Sequence, residues 1–170
     1  IVREPRNIIT SLANHYDISI DAAYDFLTNK RKIIFSKDVS KSGALLEEKG
    51  NAHFVGSWNE HYNSWKKIGF APIKIVKYED LIADTEKTFL SILKFLSSFM
   101  PIKIEKGRID QAVKSCTFDE LKKKESREGF FEAPAIKKSN KKIVFFNLGK
   151  NNNWKKILKP EIDKKIKNSF

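Results

Sequence analysis

Arg3 and Ser11 are the first two residues along the chain whose side chains could bind an anion together. Pro5 sets a first helical turn, and apolar residues at helical spacing predict a helix over residues 5–15, directly after a strand. The N-terminus of such a helix offers backbone N–H groups and a positive dipole end, which favour phosphate. Arg3 and Arg6 add positive charge there, and Ser11 can donate to the same anion if the ligand lies along the helix. The alternative is that Arg3 pairs with an acid and Ser11 is a surface serine.

Two aromatic residues lie where they can contact a nucleotide base. Tyr78 follows the apolar run 73–76, which predicts a buried strand, and a tyrosine at a strand end can stack on a base or hydrogen-bond to it. Phe118 follows Thr117, which forms a predicted capping box with Glu120 at the start of a short helix. Both rings also fit core packing, and the pattern leaves these alternatives open.

The titratable residues form no metal or nucleophile motif. No pair among His15, His53 and His61 has metal-ligand spacing with carboxylates on a shared face, so a metal enzyme is not predicted. His61 lies in a helix that a capping box opens at Ser57, which favours a packed histidine. The single cysteine, Cys116, excludes an internal disulfide and fits a reducing, cytoplasmic location. A Gly-rich phosphate loop of the Walker type is absent from the sequence.

Helix signals recur along the rest of the chain. Ser57 and Asp84 are predicted N-caps of two helices, and a lysine-rich amphipathic helix begins near Pro160. Residues 30–51 are predicted to form a polar segment with one short helix, and residues 122–142 a long surface loop. No internal repeat is visible.

The alternation of strands and helices predicts an α/β fold with a parallel sheet, as one domain over residues 1–170. Ligands of such folds bind beyond the carboxyl ends of the strands. Arg3 and Tyr78 stand at those ends, so we expect both at the binding site.

The charge balance favours an anionic partner. The chain has 170 residues, 33 of them Lys or Arg against 21 Asp or Glu, for a formal net charge of +12. Few of the basic residues are arginines, which fits solvated lysines better than a dedicated nucleic-acid reader. A basic module that binds polyanions through the lysine-rich residues 155–167 is the alternative function. No apolar run is long enough to span a membrane.

Together these segments resemble the sulfotransferases that use 3'-phosphoadenosine 5'-phosphosulfate, particularly their cytosolic-type and bacterial branch. Val2-Arg3-Glu4-Pro5-Arg6-Asn7-Ile8 through Ser11 is similar to the strand, turn and helix that hold the 3'-phosphate with an arginine and, eight residues later, a serine. Four further segments resemble family motifs in the family's order: residues 56–65, the helix before the next strand; 77–81, with the tyrosine that contacts adenine; 116–121, which wraps the adenine; and 145–154, the C-terminal glycine loop that closes on the 3'-phosphate.

The resemblance implies a P-loop-NTPase-like parallel sheet flanked by helices. It also implies a sulfuryl donor, 3'-phosphoadenosine 5'-phosphosulfate, whose product is adenosine 3',5'-bisphosphate, and no metal. The acceptor would be a hydroxyl or amine of a small molecule or glycan, with neither nucleic acid nor a membrane as partner. The cofactor-binding residues it implies are Arg3, Ser11, Tyr78, Thr117, Phe118 and Gly149.

Two departures from the family concern the glycine loop. Asn147 and Leu148 stand where the family has Arg-Lys, so a charge partner of the phosphate is lost, and Lys150 is the residue that would replace it. Residues 151–153, all asparagine, replace the family's Gly-Asp before Trp154.

The family's phosphosulfate loop and its catalytic histidine and lysine precede the strand that ends at Arg3. We therefore expect them upstream of Ile1, with this chain the C-terminal portion of a sulfotransferase domain, truncated before residue 1 and inactive alone. No catalytic residue is assigned within it. The family's C-terminal dimer motif is not recognisable between Trp154 and Phe170, and the oligomeric state stays open.

Overall fold

The computed structural model describes residues 1–35, 52–131, 133 and 143–169, and within these ranges the chain is mostly helical. The helices are α1 (Pro5–Tyr16), α2 (Ile20–Thr28), α3 (Trp58–Lys66), α4 (Tyr78–Ala83), α5 (Thr85–Leu96), α6 (Lys106–Ser115), α7 (Phe118–Glu128), α8 (Trp154–Ile157) and α9 (Pro160–Lys167). A 3-10 turn spans Gly149–Asn151, and two short strands are β1 (Ile33–Phe35) and β2 (Ala52–Phe54).

The predicted helix starts are confirmed where side chains cap them. Ser57 accepts the N–H of Glu60, and the Glu60 carboxylate accepts the N–H of Ser57 at 3.0 Å, which completes a capping box at α3. Asp84 accepts the N–H of Lys87 at 3.0 Å at the start of α5. Helix α9 begins at Pro160, as predicted.

Helix α7 is longer than predicted. Thr117 accepts the N–H of Glu120 at 3.4 Å, and the helix then continues through Glu128 to Gly129, whose φ is +74°. The first part of the predicted surface loop over residues 122–142 is therefore helical. Since α7 ends at a residue in the left-handed region, glycine is suited to that position.

The predicted parallel sheet is not confirmed in the described residues. β1 and β2 pair antiparallel, with Ile33 opposite Phe54, a pairing that the sequence did not predict. Residues 73–76 do not form the predicted buried strand, and the only parallel pairing there is an isolated bridge between Val2 and Lys77. Since no described strand continues that ladder, Ile73 stays 39% exposed, although Val76 is buried. The helix predicted within residues 30–51 lies outside the described residues.

The main core of the described chain lies between α1, α2 and α9. Ile9 is fully buried and packs with Ala23, Leu27, Ile162 and Ile166. This contact fixes α1, which carries Ser11, against the C-terminal helix. None of the described helices is both long and apolar enough to cross a membrane.

Candidate functional site

A parallel backbone pairing brings Arg3 beside Tyr78. The N–H of Val2 donates to the carbonyl of Val76 at 2.8 Å, and the N–H of Tyr78 donates to the carbonyl of Val2 at 2.7 Å. The Arg3 guanidinium carbon consequently lies 4.2 Å from the centre of the Tyr78 ring. Both residues thus lie at the same end of one isolated parallel bridge, and their place at a binding site stays a prediction.

Arg3 retains an unused donor. Its Nη1 donates to Ser11 Oγ at 3.4 Å, while its Nε is buried and has no hydrogen-bond partner. None of the described carboxylates forms an ion pair with Arg3. A buried, unpaired donor on a cation is costly, and a bound anion would satisfy it.

Arg6 has a structural role instead. Its Nε donates to Glu4 at 2.6 Å, its Nη1 donates to Asp163 at 2.9 Å, and its guanidinium lies 4.1 Å from the Trp154 ring centre. The hydrogen bond to Glu4 is the largest cause that raises the pKa of Arg6. Arg6 lies at the start of α1, as expected, but Glu4 and Asp163 neutralise its positive charge.

The backbone N–H groups at the start of α1 are also occupied. Pro5 has none, the N–H of Glu4 donates to Glu79 at 3.2 Å, and the N–H of Arg6 donates to the Glu4 side chain at 3.4 Å. The expected anion site on the free end of this helix is therefore wrong. An anion bound here would have to be held by side chains, such as those of Arg3 and Ser11.

Ser11 lies in α1 and takes part in several hydrogen bonds. Its hydroxyl donates to the carbonyl of Asn7 at 3.2 Å and accepts from Arg3 Nη1 and from Asn152 Nδ2, the latter at 3.1 Å. The alternative interpretation, an arginine paired with an acid beside an unengaged surface serine, does not describe this geometry.

Phe118 and Gly149 are in direct contact. Gly149 has a φ of +52°, and a methyl group added there would lie 2.6 Å from Phe118 Cζ. The Phe118 ring also meets Phe146 edge-to-face, with 6.2 Å between ring centres. The glycine is required at this point both for its backbone conformation and for the close approach of the ring.

Three of the six predicted residues line a cavity of about 290 Å³. It is lined by Arg3, Asn7, Tyr78, Glu79, Ile82, Ala83, Gly149 and Asn152. Ser11 borders it through its contacts with Arg3 and Asn152, and Phe118 through Gly149. Thr117 does not line it: its hydroxyl caps α7 and so fixes the first turn, where Phe118 lies.

The asparagines of the C-terminal loop fasten it to α1. Asn147 donates to Asn14 at 2.9 Å, and Asn7 accepts the N–H of Trp154 at 3.0 Å. Asn152 donates to the carbonyl of Asn7 at 3.0 Å. Asn147 thus bridges two elements with a neutral amide and supplies no charge. The side chain of Lys150, the expected replacement for the lost charge, lies outside the described residues.

Glu125 holds the same loop from the other side. Its two carboxylate oxygens accept the N–H groups of Phe145 at 2.6 Å and Phe146 at 2.9 Å. Sequence reasoning missed Glu125, Asn7 and Asn152, because their partners lie far away along the chain. Glu79 had a local signal, since it directly follows Tyr78.

Another, larger cavity of about 480 Å³ lies between α7 and the rings of Phe130, Phe131 and Phe146. It contains none of the predicted site residues, and its described polar side chains include no buried atom without a partner. The chemistry therefore favours the smaller cavity at Arg3.

The described histidines and Cys116 lie outside the cavity at Arg3. His15 packs edge-to-face on Tyr16, and His61 accepts a hydrogen bond from the Trp65 indole at 3.2 Å. No group of three or more His, Cys, Asp or Glu residues among those described is arranged to hold a metal ion.

Two comparisons with known proteins bear on the family of this chain. The family model described as "Sulfotransferase domain" matches residues 1–170. A curated relative, flavonol 3-sulfotransferase from Flaveria bidentis, is 26% identical over 133 residues. That match covers 78% of this chain and 39% of the relative, so the chain spans well under half the length of the relative it matches. Because the family model matches residues 1–170 of this chain, the chain belongs to the sulfotransferase domain family.

Proposed function

We propose that this chain supplies the 3'-phosphate and adenine part of the donor site for 3'-phosphoadenosine 5'-phosphosulfate. When bound, that donor supplies the sulfuryl group that a sulfotransferase passes to a hydroxyl or amine. The observation that carries the proposal is Arg3, a half-buried cation whose buried Nε has no partner and which lines the cavity beside Tyr78 and Gly149.

Arg3 and Ser11 would hold the 3'-phosphate. Arg3 offers its unpaired Nε, and Ser11 offers its hydroxyl proton, which at present goes to the Asn7 carbonyl at 3.2 Å. Hydrogen bonds between an arginine and an anion are about twice as strong as neutral ones. The N–H groups at the start of α1 already donate to Glu4 and Glu79. The selectivity for the phosphate would therefore come from the side chains of Arg3 and Ser11.

The aromatic residues would contact the adenine. The Arg3 guanidinium lies over one face of the Tyr78 ring, so the base would stack on the opposite face or hydrogen-bond to the hydroxyl. Phe118 packs on Gly149, so the position of its ring and that of the loop depend on each other. Thr117, by capping α7, acts as a positioning residue for Phe118.

Catalysis is proposed to depend on residues outside this chain. Among the described residues that line the cavity there is no histidine or lysine, the types expected as base and as charge stabiliser. The relative's name specifies a flavonol, which supports a small-molecule acceptor with a hydroxyl group over a glycan. Cys116 is exposed and forms no disulfide, which supports the proposed cytoplasmic location.

Nucleotide selectivity tests the proposal. In the natural protein that contains this chain, calorimetry should show that adenosine 3',5'-bisphosphate binds more tightly than 5'-AMP by roughly 10- to 100-fold, the effect of about 1.5–3 kcal/mol from a charged hydrogen-bonding partner. Arg3→Ala should abolish most of that preference and leave the affinity for 5'-AMP nearly unchanged.

Arg6→Ala is the matched control. Arg6 is bound to Glu4 and Asp163, so its loss should lower stability and keep the nucleotide preference. Equal binding of the two nucleotides by the unmodified protein would contradict the proposal. Salt-sensitive binding of long nucleic acids without that preference would favour the alternative basic module.

A further inference from the structure

Asn152 occupies the junction between the C-terminal loop and α1. Its Nδ2 donates to the Asn7 carbonyl at 3.0 Å and to Ser11 Oγ at 3.1 Å, and its Oδ1 accepts from the hydroxyl of the buried Thr10. The same side chain lines the cavity at Arg3. The amide orientation is fixed by chemistry, since the Asn7 carbonyl can only accept and so requires the NH₂ group.

These contacts determine what the Ser11 hydroxyl can do. A serine hydroxyl has one proton to donate and two lone pairs. Here the lone pairs accept from Asn152 Nδ2 and Arg3 Nη1, so the remaining capacity of Ser11 is that of a donor.

The proton of Ser11 is only loosely engaged. The Asn7 carbonyl that receives it at 3.2 Å also accepts from Thr10 at 2.9 Å and from Asn152 at 3.0 Å. The Thr10 hydroxyl has a single proton, which goes either to this carbonyl or to Asn152 Oδ1, so Asn152 satisfies the carbonyl in both cases, and the Ser11 contact is the longest of the three. Ser11 can therefore donate its hydrogen bond to an anion instead, and the Asn7 carbonyl still has a donor.

We propose that Asn152 is a positioning and specificity residue of the nucleotide site, which holds Ser11 as a hydrogen-bond donor toward the 3'-phosphate. The inference rests on the proposed function and adds a residue to it. The side chain acts through Ser11, and its neutral amide leaves the charge of Arg3 available to the phosphate. An aspartate of the same shape would face the Asn7 carbonyl and Ser11 with acceptors alone and would repel the phosphate.

The test compares Asn152→Asp and Asn152→Ala in the natural protein, with Asn147→Ala as the control. Asn147 also bonds to α1 from the same loop, through Asn14, but does not line the cavity. The readouts are the thermal midpoint and the ratio of affinities for adenosine 3',5'-bisphosphate and 5'-AMP. Asn152→Asp should lower that ratio by about tenfold or more, with 5'-AMP affinity little changed, and Asn152→Ala by a smaller factor. Asn147→Ala should leave the ratio unchanged.

The possible outcomes separate this inference from the proposed function. If the unmodified protein shows no preference for the 3'-phosphate, the proposed function fails and the inference fails with it. If the preference is present and both Asn152 variants keep it, the inference alone is overturned. If both variants fail to fold, Asn152 is a structural residue and the inference is also overturned.

Discussion

Replacing Gly149 with alanine should destabilise the protein by about 2–5 kcal/mol. At a φ of +52° a side chain costs roughly 1–2 kcal/mol, because its Cβ crowds the following carbonyl. The added methyl would also lie 2.6 Å from Phe118 Cζ and 2.8 Å from Cε2, and overpacking of this kind typically costs about 1–3 kcal/mol.

The ring of Phe118 cannot easily give way. It packs edge-to-face on Phe146, whose N–H is held by Glu125 at 2.9 Å. A displaced ring would therefore disturb the loop that closes the cavity. Replacing the ring in a Phe118→Leu background should remove the steric part of the cost and leave the roughly 1–2 kcal/mol of backbone strain.

Urea denaturation measures both parts, as a change of midpoint at constant slope. Gly107→Ala is the matched control, since Gly107 lies in α6 and nothing is within 4 Å of the added methyl. That substitution should stabilise the protein, by up to about 1 kcal/mol. The reasoning is refuted if the alanines at 149 and 107 shift the midpoint alike, or if Gly149→Ala costs as much in the Phe118→Leu background.

Two other substitutions test the scaffold of the site. Glu125→Gln removes a charged acceptor shared by the N–H groups of Phe145 and Phe146, so it should cost about 1–3 kcal/mol and speed hydrogen exchange of those two amides above all others; unchanged exchange would show that the loop does not depend on Glu125. Hydrogen bonds from Lys167 and Arg6 hold the pKa of Asp163 below its usual 3.8, so its stabilising contribution is present above pH 3.8 and is lost as the pH falls through the lower, folded-state pKa. Asp163→Asn should therefore flatten the decline of the thermal midpoint in acid, and an identical decline in both proteins would contradict this.

Features with a local signal were predictable from the sequence. The helix starts at Ser57, Asp84 and Pro160 depend on interactions within a few residues, and the structure has all three. The family resemblance implied that Arg3 and Ser11 share an anion site; that role stays a prediction, although the two side chains are in contact.

Features that depend on distant partners were not predictable in the same way. Arg3 and Arg6 look equivalent in the sequence, yet Arg6 is neutralised in part by Asp163, which lies 157 residues away. The run 73–76 has the composition of a buried strand, but a strand needs neighbours, and the described chain offers it only Val2. Asn152 stood out in the sequence only as part of the asparagine run 151–153, and its role arises from contacts with α1.

The measurement that tests the central claim most directly is a crystal structure of the natural protein with adenosine 3',5'-bisphosphate. The account predicts 3'-phosphate oxygens at hydrogen-bond distance, about 2.7–3.2 Å, from Arg3 Nε and near the Ser11 hydroxyl, with the adenine beside Tyr78 or Phe118. A nucleotide bound away from Arg3, or an Arg3 side chain paired with a carboxylate in the complex, would contradict it.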